Sequence, residues 1–105
     1  MSLRVYPVII EVIESLRGVT AQIERRDRDL GRQLRRAGSS AVLNLAEGMY
    51  SRGAIRQARY HTALGSAREV LSCLEVACAW GHIARVDDAI SGKLNQVIGT
   101  LVRLV

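Results

Sequence analysis

Six arginines crowd one short stretch of the chain: Arg25, Arg26, Arg28, Arg32, Arg35 and Arg36, interrupted in charge only by Asp27 and Asp29. Six positive and two negative charges leave this stretch at +4, most of the formal +5 of the chain. On a helix, Arg28, Arg32, Arg35 and Ser39 follow i, i+4, i+7 and i+11, so three guanidinium groups share one face. A guanidinium is a planar fork that fits phosphate and carboxylate, which points to nucleic acid or an acidic protein as partner. Arg52, Arg56 and Arg59 form a second basic run. The competing reading is a solvated face, with Arg35 or Arg36 paired to a carboxylate of a neighbouring subunit. The preference for arginine, 14 of 15 basic residues, also follows from a GC-rich coding sequence.

A second constellation is polar in an apolar setting: Asn44, Glu47, Arg68 and Glu69. Glu47 and Glu69 as a carboxylate pair would be suited to acid–base chemistry. No nucleophile or metal ligand stands near them in sequence, so the favoured reading is a structural network joining two helices, with Arg68 or Tyr60 as partner. His61 and His82 have neither HxxxH nor CxxC company, so no metal site is expected. The glycines follow no strand and form no phosphate loop. Tyr50 and Trp80 read as caps of a bundle end or interface anchors, not as base-stacking platforms. Cys73 and Cys78, five apart, miss the spacing that brings helical side chains together and read as free thiols.

The elements that must position these groups are helices. One proline, no Phe and a core left to Leu, Val, Ile and Ala favour closely packed helices over a sheet. Val5, Ile9, Val12, Leu16, Val19 and Ile23 recur at steps of three and four, with Pro7 in the first turn. The charged run Glu24–Asp29 is the expected break, with Asp27 or Asp29 as cap. A second helix is predicted from about Leu30 to Glu47, ended by Gly48 as its C′ residue. Its residues 41–46 are apolar nearly all round, so a second surface must cover them, from this chain or another copy. A third helix is predicted from about Ala54 to Trp80, ended by Gly81, with Tyr60, Leu64, Ala67, Leu71, Leu74 and Cys78 as a heptad-like seam. Gly65 in its middle suggests a close helix crossing. The fourth begins at Asp87–Asp88 and carries Ile90, Leu94, Val97, Leu101 and Val105 on one stripe. Breaks of about five residues favour antiparallel neighbours. The expectation is one all-α domain over residues 1–105, an antiparallel up-down-up-down four-helix bundle. Glu11 and Glu14 interrupt the first apolar run, and no stretch approaches the roughly 20 apolar residues of a membrane span. A soluble, cytoplasmic protein without membrane contact is expected.

The runs Gln33-Leu34-Arg35-Arg36-Ala37, Asn44-Leu45-Ala46-Glu47-Gly48, Ala63-Leu64-Gly65-Ser66-Ala67-Arg68-Glu69 and Trp80-Gly81-His82-Ile83 resemble the bacterial four helix bundle protein family. That family includes proteins encoded in intervening sequences of large-subunit ribosomal RNA genes and the accessory variability determinant of diversity-generating retroelements. The resemblance implies an antiparallel four-helix bundle assembled into a homopentameric ring. It also implies a basic surface that, in the retroelement member, binds nucleic acid and a reverse transcriptase. Two functions are therefore weighed. One is a non-enzymatic, homo-oligomeric adaptor binding RNA or DNA through the arginines, accessory to a nucleic-acid enzyme. The other is a protein–protein scaffold. Neither needs a cofactor.

Overall fold

A computed structural model of the protein describes residues 3–105. Four helices follow in order: α1 (Val5–Arg26), α2 (Arg28–Met49), α3 (Gly53–Ala79) and α4 (Asp88–Leu104), with no strand among the described residues. Each packs against the next in the chain and α4 closes back on α1. The result is an up-down-up-down bundle measuring 42 × 23 × 19 Å.

The antiparallel sense is visible in the core, which divides between the two ends of the bundle. At one end, Leu16 and Ile23 from the second half of α1 meet Leu30 and Leu34 from the first half of α2, Leu74 of α3 and Ile90 and Leu94 of α4. At the other, Val5 and Ile9 meet Leu45, Met49, Tyr60, Leu64, Val97 and Leu101. Ile13 packs against both sets. Ile23, Leu45, Val97 and Leu101 are completely buried, and each such side chain contributes about 1.5–3 kcal/mol relative to exposure.

The connections differ from the five-residue expectation in an instructive way. The break between α1 and α2 is the single residue Asp27, because the charged run stays helical on both sides of it. Asp27 adopts an extended conformation, and its carboxylate accepts the Leu30 N–H at 3.0 Å, which caps α2. Gly31, just inside α2, permits so tight a corner. A Cβ there would run into the Glu24 side chain and come within 3.0 Å of the Glu24 Cα.

Gly48 lies inside α2 and is not its C′ residue; α2 runs on to Met49 and ends at Tyr50. The glycine is needed there because a Cβ would sit 2.5 Å from the Tyr60 ring. Close helix approach thus occurs at Gly48, whereas Gly65, where a crossing was expected, is exposed and faces open space. Gly81 ends α3 as expected. It takes φ +78°, and the His82 N–H reaches back to the Ala77 carbonyl at 2.9 Å, the Schellman pattern. The last connection, Trp80–Asp87, is the longest. Asp87 then caps α4 by accepting the Ala89 and Ile90 N–H groups.

Candidate nucleic-acid interface

Arg25 and Arg26 close α1, and Arg28, Arg32, Arg35 and Arg36 ride on the first half of α2. The single-residue turn at Asp27 therefore brings both groups to one corner of the bundle. All six are exposed. Arg28, Arg32 and Arg36 succeed one another at about 6 Å along the axis, from the rise of the helix. Arg35 differs from the others: it reaches across to α1 and donates to the Glu24 carboxylate at 2.6 Å. The carboxylate that Arg35 finds belongs to its own chain and not, as the competing reading had it, to a neighbouring subunit. Arg25, Arg26, Arg28, Arg32 and Arg36 have no ion pair or side-chain hydrogen bond among the described residues. Of the nearby acidic groups, Glu24 holds Arg35 and Asp27 caps α2 while lying 3.5 Å from His82 Nε2, whereas Asp29 is exposed and lines the same surface as Arg32 and Arg36. Two shallow surface depressions run along this corner and share Arg32. One is lined by Arg25 and Arg28, the other by Arg35, Arg36 and Ser39.

The second arginine run divides by function. Arg56 turns back to the end of α2 and donates to the Gly48 carbonyl at 3.0 Å and the Met49 carbonyl at 3.3 Å, satisfying groups the helix leaves open. Arg59 donates to Asn44 Oδ1 at 3.1 Å and pairs with Glu47 at 3.0 Å. Arg52 stays exposed at the start of α3.

The polar network linking α2 and α3 is therefore real in Asn44 and Glu47, but its partner is Arg59. Arg68 and Glu69 sit on exposed positions of α3, with no side-chain hydrogen bond or ion pair among the described residues, and the Tyr60 hydroxyl is buried without a partner. Asn44 also donates to the Ser40 carbonyl, and Ser40 shares a 2.7 Å hydrogen bond with Ser66 of α3. The sequence pattern missed Arg59 and Ser66 because both partners lie far along the chain, where no local spacing signals them. Glu69 does act at a distance: burial pushes the Cys73 thiol above its ordinary range, and the Glu69 charge adds to this.

Several smaller expectations resolve here. Cys73 and Cys78 are free. His82 packs at the bundle end against Asp27, with its carbonyl accepting from Gln22. Trp80 does not cap that end, because its side chain is 73% exposed. Tyr50 is 81% exposed, beside Leu43 on α2 and Ile55 on α3, which are 61% and 65% exposed. The run 41–46 is only half covered: Ala41, Val42 and Leu45 are buried, while Leu43 faces outward. Among the described residues no three His, Cys, Asp or Glu side chains converge as metal ligands. No helix among them is long and apolar enough to cross a membrane.

Comparison with known proteins yields no match among curated proteins and none among solved structures. The family model described as 23S rRNA-intervening sequence protein matches residues 1–103, nearly the whole chain, in agreement with the resemblance carried by the Asn44–Gly48 and Ala63–Glu69 motifs. The chain belongs to the 23S rRNA-intervening sequence protein family.

Proposed function

We propose that the protein is a non-enzymatic, homo-oligomeric adaptor that binds nucleic acid, RNA in the first place, through the α1–α2 corner. The observation that carries this is the set of five exposed arginines without a carboxylate partner among the described residues, Arg25, Arg26, Arg28, Arg32 and Arg36. Exposed like charges repel one another, and phosphates that neutralise them release counterions into solution. The family's name, with its reference to 23S rRNA, favours RNA over DNA. A reverse transcriptase is the companion enzyme that the resemblance implies, and the cytoplasm is the compartment that fits such a role.

The patch of Leu43, Tyr50 and Ile55 supports self-association. These side chains, with Ala46 between them, leave apolar surface in water beside the depression lined by Ala46, Tyr50 and Ile55. A second copy covering it would complete the half-covered 41–46 run, and a pentameric ring is the assembly the resemblance implies. The same patch is what a protein–protein scaffold without nucleic acid would use.

Binding of labelled single- and double-stranded RNA and DNA, measured across a salt series, tests the reading. Five neutralised arginines predict a slope of log affinity against log salt of roughly −3.5 to −4.5 per protomer. Charge reversal of Arg25, Arg28 and Arg32 to Glu should abolish binding while leaving the helical circular dichroism intact. Absence of binding at low salt would leave the scaffold. Light scattering that shows a monomer at micromolar concentration would remove the oligomer.

A further inference from the structure

We propose, against the reading of Trp80 from sequence as a cap or interface anchor, that Trp80 is a stacking platform for an unpaired RNA base at the same end of the bundle as the arginine corner. The inference rests on the RNA-binding reading and adds the form of RNA preferred, a single strand or an unpaired end.

Trp80 is the C-cap of α3, and its side chain is 73% exposed. So large an apolar ring left in water has not been used to fill the core. Its backbone is nevertheless firmly held. The Trp80 N–H bonds to the Val76 carbonyl at 2.9 Å, Gly81 turns the chain at φ +78°, and the His82 N–H bonds back to Ala77. Two residues on, His82 meets Asp27 at 3.5 Å and Gln22 binds its carbonyl, while buried Ile83 pins the connection to the core. The ring is thus presented from a rigid point.

Asp27 is flanked by Arg25, Arg26 and Arg28, so the segment carrying Trp80 is tied to the arginine corner itself. Arg85, in the same connection, is also exposed, and Val76, one turn before Trp80 on α3, is 42% exposed. An aromatic face with several free guanidinium groups at one end of a bundle matches the two needs of a nucleotide: a π-surface for the base and cations for its phosphates. Duplex bases are already stacked on each other and expose only their edges, so this combination favours unpaired ones. Tyr50, the other exposed aromatic, lies at the opposite end of α2, where Arg56 and Arg59 are already bonded to helix-end carbonyls, Asn44 and Glu47, and Arg52 alone of that run stays exposed without a bonded partner among the described residues.

Trp80 is the one tryptophan of the chain, so its fluorescence reports on the site directly. The full chain would be titrated with an oligouridylate and with an RNA duplex of equal length, following both Trp80 emission and the anisotropy of labelled RNA. Quenching by the oligouridylate is expected, and Trp80→Ala should weaken its binding about 5- to 150-fold while leaving duplex binding unchanged. Trp80→Phe should retain most of the affinity. Anisotropy showing binding with no quenching and no loss in Trp80→Ala would overturn the stacking role and leave the adaptor reading standing. No binding of either RNA would overturn both. Blue-shifted emission shielded from acrylamide in the free protein would mean that another copy covers the ring, which also refutes the proposal.

Discussion

Two helical glycines, Gly48 at the α2–α3 contact and Gly65 on the open face of α3, should respond in opposite directions to the same substitution. In Gly48→Ala, the new methyl would lie 2.5 and 2.6 Å from Cε1 and Cδ1 of Tyr60 and 3.3 Å from Arg59 Cβ. Carbon atoms settle at about 3.5–4.0 Å, so the ring would have to retreat by about 1 Å. Tyr60 is 3% exposed and packed within the core of that end, so it has nowhere to go. Such overpacking costs about 1–3 kcal/mol. Alanine's better helix propensity, at most about 1 kcal/mol, offsets part of it, and less so in the last turn of α2. The expected loss is about 1–2 kcal/mol. In Gly65→Ala the methyl meets nothing within 4 Å, and the residue is in the middle of α3. There the propensity gain stands alone, about 0.5–1 kcal/mol. Thermal unfolding followed by circular dichroism at matched protein concentration separates them, since 1 kcal/mol moves Tm by about 4–8 °C in a domain of this size. Gly48→Ala should melt several degrees below the parent and Gly65→Ala a few degrees above it. If Gly48→Ala were neutral, the close approach of α2 and α3 would be wrong. If Gly65→Ala were destabilising, another copy must approach that face of α3.

Asp27→Ala removes both the cap of α2 and the His82 partner, at the one non-helical residue between α1 and α2; chemical denaturation should show a loss of about 0.5–2 kcal/mol. Cys73 gives a pH prediction. Its folded thiol is raised above the ordinary 9.0 by burial and then by Glu69, so above about pH 9 the unfolded chain loses this proton first and stability falls as pH rises. A Cys73→Ala variant should flatten that alkaline decline in denaturation series from pH 8 to 10, and an unchanged slope would refute it. In the folded parent, alkylation at pH 8 should reach the partly exposed Cys78 before the buried Cys73, as peptide mapping would show.

The helices were largely legible in the chain because their signals are local. Apolar residues at three- and four-residue steps, aspartates at helix starts and Gly81 at a helix end each act within a turn or two of the backbone. The arginine corner was legible for the same reason: its residues are neighbours in sequence. What was misread depended on distance. Gly48 and Gly65 are both helical glycines, and nothing in their own neighbourhoods says which one faces the Tyr60 ring. Arg68 stood next to Glu69 in sequence, yet Arg59 is the residue that α3 aims at Asn44 and Glu47.

The sequence by itself determined the number and kind of elements, their amphipathic stripes and the concentration of positive charge. Those properties follow from periodicity and composition, which the backbone reads residue by residue. Only the tertiary structure decided which arginines remain free. Arg35, Arg56 and Arg59 are drawn to a carboxylate, to helix-end carbonyls and to a polar network on neighbouring helices. The tertiary structure also left Trp80 at the surface, at the same end of the bundle as the free arginines, where the core is filled by Ile83, Ile90 and Leu74. A side chain's fate in a bundle is set by which neighbours reach it first, and those neighbours come from other helices.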